Sequence, residues 1–283
     1  MLRYKEIFLG GRCNNNCLHC SAGHKESAQT DFNQIAESLN KNDEGNVSFY
    51  GGEPLLRNDL PEIISAARSN HYKRIRLITN GRAFSDVRLL QQVIAAGCRL
   101  FEIKLWGSNP ALHDHLTRVP GSFWETVNGL ENLAGFGDDK FVCVRIPVCH
   151  ENYVDVENVT VAAMNFGVNR VILSMEDRAL SFGSVLPHIR NAINIGIFNR
   201  VWIMTEGVPL CAGQIPEVHV SEIYSGWEAT YERAFQRHRY CGDCAYRELC
   251  PGVDSRYLRQ FGEKELSPVR TNRYTDDIKA LYA

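Results

Sequence analysis

Apolar positions along this chain fall into short runs that alternate with helical stripes. Ile7-Phe8-Leu9 reads as a buried strand ending at Gly10-Gly11. Phe32, Ile35, Ala36 and Leu39 recur at helical spacing and predict a helix over residues 31–40. Asn46–Tyr50 predicts a second strand, Leu60–Ser69 a helix, Arg74–Ile78 a third strand and Val87–Ala96 another helix. Leu100–Leu105 is the fourth expected strand, followed by a helix from Ser122 to Ala134 with Ser122 as its cap. Phe141–Pro147, a helix over Val154–Phe166, Arg170–Met175 and a helix over Val185–Ile195 complete the series. Six strand–helix alternations in about 195 residues predict α/β architecture, a parallel sheet with helices outside it. From Arg200 to Met204 the period turns strand-like with no helix after it. Residues 1–199 are therefore expected to form the main domain, and 200–283 a small second domain with a weakly helical tail over Arg270–Ala283.

Composition narrows the class. Apolar residues make up 44% and charged residues 23%, which suits a globular chain with a sizeable core. A net charge of −2 offers no broad attraction for nucleic acid or an anionic membrane. No apolar run is long enough to cross a bilayer, and Met1–Lys5 does not open a signal peptide. Ten cysteines without a secretion signal point to a reducing compartment and to metal, with the cytoplasm as the expected location.

The chemistry concentrates at the cysteines and at strand ends. Cys13, Cys17 and Cys20 are spaced Cx3Cx2C; their odd number and short loops rule out complete disulfide pairing, and thiolates so placed suit a soft metal. A four-iron cluster normally takes four cysteines, so three leave one iron without a protein ligand. Structural zinc prefers CxxC pairs that complete four ligands. Cys211, Cys241, Cys244 and Cys250 form a second set, C…CxxCx5C, that either iron or zinc would accept. Cys98, Cys143 and Cys149 read as buried thiols. Gly51-Gly52-Glu53 closes the second strand, where glycines allow close backbone approach and a carboxylate can receive an ammonium group. Asn80, in Thr79-Asn80-Gly81, ends the third strand as a ligand contact or a plain turn. Lys104 ends the fourth as an anion reader or a structural ion pair, and the same choice holds for Arg145 on the fifth.

The Cx3Cx2C spacing, the Gly-Gly-Glu at the next strand end and the Thr-Asn-Gly after it resemble the radical S-adenosylmethionine (SAM) superfamily. The resemblance implies an incomplete, TIM-like (β/α)6 barrel and a [4Fe–4S] cluster on Cys13, Cys17 and Cys20. The open iron would hold the amino and carboxylate groups of SAM, whose reductive cleavage gives a 5′-deoxyadenosyl radical that takes hydrogen from substrate. By the same resemblance His19 contacts the adenine, the alternative being an exposed loop histidine. Gly51, Gly52 and Glu53 hold the methionyl amino group; Asn80, Lys104 and Arg118 are further SAM candidates. Lys104-Leu105-Trp106-Gly107 departs from the family's Ser-Ile/Leu-Asp/His-Gly. The second cysteine set resembles the SPASM and shorter twitch extensions, in which CxxCx5C is often followed by x3C. Here that last position is Asp254, and the Gx4C piece is missing. The resemblance thus implies one auxiliary [4Fe–4S] cluster on Cys211, Cys241, Cys244 and Cys250; without Cys211 as a ligand its iron would be open to substrate.

The expected activity is a radical SAM oxidoreductase or maturase fed by an external electron donor such as flavodoxin or ferredoxin. Its substrate would be a small molecule, or a peptide presented by a partner, since no leader-recognition domain precedes the first strand. Lys104, Arg145, Glu176 and Cys149 are the candidates for catalysis in the substrate pocket. An iron–sulfur electron carrier on the same fold, or a zinc-containing interaction protein, are the other readings.

Overall fold

A computed structural model describes residues 4–20, 28–41, 45–137, 139–177, 180–213, 215–221, 235–247, 250 and 252–271. The expected helix toward Ala283 falls mostly outside them. Strands β1 (Lys5–Phe8), β2 (Asn46–Tyr50), β3 (Arg74–Thr79), β4 (Leu100–Lys104), β5 (Phe141–Val148), β6 (Arg170–Met175) and β7 (Trp202–Glu206) lie in one sheet in chain order. Neighbours from β1 to β5 pair in parallel. Helices α1 (Phe32–Leu39), α2 (Leu60–Ser69), α3 (Val87–Ala96), α4 (Pro110–Thr117), α5 (Ser122–Gly135), α6 (Val156–Met164) and α7 (Phe182–Asn199) intervene. This is a partial TIM-like (β/α) barrel, and the strand-like stretch after α7 adds its seventh strand. The chain divides into two compact units. One holds Tyr4–Ile146 and Asn158–Val171; the other holds Pro147–Glu157 and the described residues from Ile172 onward. The latter adds α8 (Leu210–Gly213), a two-stranded sheet of β8 (Phe235–Gln236) and β9 (Val253–Asp254), and α9 (Ser255–Phe261). Among the described residues no helix is long and apolar enough to cross a membrane.

Strand alternation sorts the side chains of β1–β5. Ile7, Val47, Phe49, Ile75, Leu77, Phe101, Ile103, Val142 and Val144 are buried on one face. The in-register pairs Glu6↔Ser48, Ser48↔Arg76, Glu102↔Cys143 and Lys104↔Arg145 put polar groups on the other. The helical faces read from sequence are buried too, including Ile35 and Leu39 of α1 and Leu60, Ile63, Ile64 and Ala67 of α2.

Two helix starts differ from expectation. The α4 segment, to which periodicity assigned no element, is nucleated by Asn109, whose side chain accepts from the Leu112 amide at 3.1 Å, and by Pro110 in its first turn. Ser122 is not the cap of α5. Gly121, at φ 84°, precedes the helix, and Ser122 is buried as its first residue. The free amides are instead capped from α4 by Asp114, which accepts from Gly121 N (2.7 Å), Phe123 N (2.8 Å) and Ser122 Oγ (2.9 Å).

Candidate active site

The Cys13–Cys20 loop leaves β1 without regular structure of its own, so its shape comes from its supports. On one side Gly52 N donates to Gly10 O and Glu53 N to Arg12 O, both at 2.8 Å. On another, Asn16 N and Leu18 N donate to Thr117 O (3.0 Å) and Leu116 O (2.9 Å) at the end of α4. From the β3 turn, Asn80 Nδ2 donates to Asn14 Oδ1 at 2.7 Å, and Arg82 Nη1 donates to Asn14 O and to Asn15 Oδ1, the latter at 2.7 Å. Within the loop, Asn15 N donates to Cys13 Sγ at 3.3 Å.

The glycines of Gly51-Gly52-Glu53 serve this packing. A Cβ on Gly51 would sit 2.4 Å from Gly10 O, and one on Gly52 would sit 2.3 Å from Arg12 O. No side chain fits between β2's end and the cysteine loop. Glu53 turns inward and is 3% exposed. Its Oε1 accepts from Leu55 N (3.0 Å) and from Thr79 Oγ1; its Oε2 accepts from Asn80 N at 2.7 Å. Burial pushes this carboxyl up from its usual range, against the pull of those three bonds and of Lys104.

Lys104 is half-buried at the end of β4, and its charge favours ionisation of Cys13, Cys17, Glu53 and Glu102. Arg145 Nε donates to Glu102 Oε1 at 2.5 Å. Arg76 lies 3.8 Å from the other Glu102 oxygen and pairs with Glu6 at 2.7 Å. Burial alone would raise the Glu102 carboxyl, but the Arg145 and Arg76 guanidiniums outweigh it and hold it at about 2. Arg145 thus forms a cross-strand ion pair with Glu102. Cys143 is buried beside this network, its thiol pushed up to about 12, chiefly by burial.

His19 stacks against Trp106, ring centroids 6.5 Å apart at 27°. The Trp106 amide donates to His113 Nδ1 at 3.3 Å, and among the described residues the buried His113 Nε2 has no hydrogen-bond partner. Burial drives this imidazole down to about 4, so it is neutral near pH 7. Arg118 is exposed at the C-cap of α4 with φ 56°, directly after Thr117, whose carbonyl accepts from Asn16 N of the loop.

In the second unit, Cys149 is fully buried just past β5, its amide donating to Asn152 Oδ1 at 2.8 Å. Burial, reinforced by a hydrogen bond with Glu151, raises its thiol pKa strongly. Glu176 Oε1 accepts from Ser174 Oγ at 3.1 Å. Farther on, Cys211, Cys241, Cys244 and Cys250 line one cavity together with His238 and Tyr246. His238 N donates to Cys241 Sγ (3.3 Å) and Gly252 N to Cys250 Sγ (3.4 Å). Asp254 does not line that cavity; it caps α9 by accepting from Arg256 N at 2.8 Å.

Both cysteine sets fit a thiophilic metal group. Burial, then the neighbouring Cys13 and Cys20, raises Cys17 to about 11. Burial, then Cys250, Cys241 and Cys244, raises Cys211 to about 12. A cation among the sulfurs would offset the burial and crowding that oppose ionisation of Cys17 and Cys211. Amide donors to sulfur, seen in both sets, complement such clusters.

Arg82, Arg57 and Glu102 shape the site without having been singled out from the sequence. Arg57 is 5% exposed and donates to Leu9 O (2.8 Å) and Thr30 O (2.7 Å), fixing the β1 end. The available signals were positional: Arg82 follows Thr79-Asn80-Gly81, and Arg57 follows Gly51–Leu56 by one residue.

Comparison with known proteins agrees with this arrangement. The mycofactocin maturase MftC of Mycobacterium ulcerans is 29% identical over 162 residues, 55% of this chain and 42% of its own length. The chain thus spans under half the length of the mycofactocin maturases it matches. Among solved structures, anSMEcpe with bound AdoMet and Cp18Cys peptide superposes with TM-score 0.65 at 14% identity, covering 95% of this chain and 93% of that one. Streptococcus suis SuiB bound to S-adenosylmethionine gives 0.62 at 14% identity, covering 79% and 55%. These likenesses show the shared fold, a barrel followed by an auxiliary region of the SPASM and twitch type. The Radical SAM superfamily model matches residues 7–161, more than half the chain and the very stretch that contains the cysteine loop and its three supports, so the chain belongs to that superfamily.

Proposed function

We propose that this chain is a radical SAM oxidoreductase or maturase that takes a hydrogen atom from a small-molecule or peptide substrate. The observation that carries the reading is the clamp between the cysteine loop and the Gly51-Gly52-Glu53 turn, which brings a three-thiol set beside a buried carboxylate and a half-buried ammonium. When bound, a [4Fe–4S] cluster with SAM supplies a 5′-deoxyadenosyl radical. Cys13, Cys17 and Cys20 would hold that cluster. The backbone at Gly51 and Gly52, with Glu53 behind it, would receive the methionyl ammonium, and Lys104 the carboxylate. His19, stacked on Trp106, would face the adenine, and Asn80, bonded to Glu53 and Asn14, would fix the turn that ends β3. Arg118, next to Thr117 at the loop, is a candidate for the SAM ribose or carboxylate. One auxiliary [4Fe–4S] cluster would sit on Cys211, Cys241, Cys244 and Cys250 in the region from residue 200 onward. Asp254, committed to a helix cap, supports one auxiliary cluster over two.

Streptococcus suis SuiB is seen bound to the precursor peptide SuiA and anSMEcpe to Cp18Cys peptide, and these favour a peptide as the substrate here. Cys149 and Glu176 stay candidates for the substrate pocket. Electrons would come from a flavodoxin- or ferredoxin-like donor. The test is anaerobic reconstitution, iron and sulfide counting, and incubation with SAM and dithionite. About eight irons per chain and 5′-deoxyadenosine from the native chain but not from Cys17→Ala are expected. Full clusters without 5′-deoxyadenosine would leave an electron carrier; zinc without iron would overturn the reading altogether.

A further inference from the structure

We propose that Arg82 is a positioning residue for the SAM-cluster loop, holding the spacer between Cys13 and Cys17 in a ligand-ready turn. The inference rests on the reading of Cys13, Cys17 and Cys20 as cluster ligands. That spacer is Asn14-Asn15-Asn16, with no helix or strand to shape it. Two of its residues are held from the turn that ends β3: Asn14 by Asn80 and Arg82, Asn15 by Arg82 alone among the bonds described. Asn15 in turn presents its amide to Cys13 Sγ.

The guanidinium is suited to this work. Its side chain is only 10% exposed, and its Nε donates to Glu125 Oε2 at 2.6 Å while Nη1 faces the loop. A planar fork pinned at one end by a carboxylate presents its other donors at a fixed angle, which a flexible ammonium does not. The turn is itself seated on α5. Thr126 Oγ1 donates to Asn80 O at 3.2 Å, and a Cβ on Gly129 would lie 2.3 Å from Gly81 O. A rigid chain of contacts thus runs from Asp114 through α5 to Arg82 and on to the spacer.

The experiment uses the full chain carrying Cys241→Ser and Cys244→Ser, so that cluster iron reports on the first site. Anaerobically reconstituted protein is challenged with an iron chelator, and the reduced cluster is followed by EPR and potentiometry without SAM. Arg82→Gln should lose iron about tenfold faster, the worth of charge-assisted bonds to the spacer. Its potential should move negative as the Asn15 amide leaves Cys13 Sγ. Arg82→Lys, which keeps one charged donor but not the fork, should fall between. Asn15→Ala, which removes one acceptor from the loop side and leaves α5 intact, should shift the same readouts in the same direction by less. Release rates and spectra of Arg82→Gln and Asn15→Ala that match the parent would overturn the proposal. Iron retained by Cys17→Ala in this background would instead sink the cluster assignment, independently of Arg82.

Discussion

Asp114 accepts a hydrogen bond from the Phe123 amide at 2.8 Å, so the end of α4 caps the start of α5. Burial would raise this carboxyl, but the Phe123 and Gly121 amides and Ser122 hold it below the usual range. Because α5 seats the β3 turn through Thr126 and Gly129, the cap acts at a distance on the cysteine loop. Asp114→Ala should cost about 2 kcal/mol, the upper end for a lost N-terminal cap. Asp114→Asn, which keeps an acceptor, should recover about half of that. Urea denaturation of the apoprotein measures both.

Glu102 makes stability acid-sensitive at low pH. Its carboxyl falls from an ordinary 4.5 to about 2 in the fold, so the unfolded chain binds the extra proton first. The associated stabilisation is complete above about pH 4.5 and is lost as pH falls toward 2; at 1.4 kcal/mol per pK unit it is on the order of 3 kcal/mol. Glu102→Gln should flatten that window in denaturant titrations from pH 5 to 3. It should also weaken the fold at pH 7 by roughly 3 kcal/mol, because the Arg145 and Arg76 charges lose their shared partner.

His113 acts in a higher window. Its imidazole drops from 6.5 to about 4 on burial, so again the unfolded chain takes up the proton first. Stability should therefore decline as pH falls from 6.5 to 4, by on the order of 3 kcal/mol. His113→Asn keeps an acceptor for the Trp106 amide but does not titrate. It should remove the slope between pH 6.5 and 4 while leaving the lower window unchanged; a slope that persists would assign that titration elsewhere.

These groups mark where the sequence was legible and where it was not. Strand and helix positions followed from period: Leu60–Ser69 and Val87–Ala96 match to the residue, and the polar face carrying Cys143 and Arg145 was visible in simple alternation. The cysteine spacings and Gly-Gly-Glu pointed to the candidate site because metal and glycine constraints are local in sequence. Long-range partners were not readable. Nothing adjacent to Arg145 identifies Glu102 as its mate, 43 residues away. Ser122 has the composition of a cap, yet Asp114, eight residues earlier, supplies the acceptor. Gly51 and Gly52 read as room for a ligand, whereas a large part of their need comes from the chain's own Gly10–Arg12 backbone.

In the auxiliary region, position 254 separates a helix cap from a metal ligand. Asp254→Ala should cost about 1 kcal/mol through loss of the cap and leave iron content unchanged. Cys250→Ser should remove about half the iron, one four-iron cluster of two. Introducing a thiol by Asp254→Cys should add no iron, because that side chain caps α9 instead of lining the four-cysteine cavity. Iron and sulfide analysis of reconstituted variants decides among these outcomes.

Gly52→Ala places a methyl group 2.3 Å from Arg12 O and 2.4 Å from Gly11 O, both backbone atoms that no rotamer change can move aside. The β2 end and the cysteine loop must then separate, straining the two 2.8 Å bonds from Gly52 and Glu53 that join them. The overpacking should cost about 1–3 kcal/mol. The larger effect should be local: the first cluster should assemble poorly while the Cys211, Cys241, Cys244 and Cys250 site still fills. Gly129→Ala provides the comparison, since its methyl would meet Gly81 O at 2.3 Å and press on the β3 turn from the opposite side. Iron per chain near half the native value in Gly52→Ala, with the auxiliary signal intact, would tie the glycine to the loop's geometry. Equal loss of both clusters would show that it acts on the whole fold.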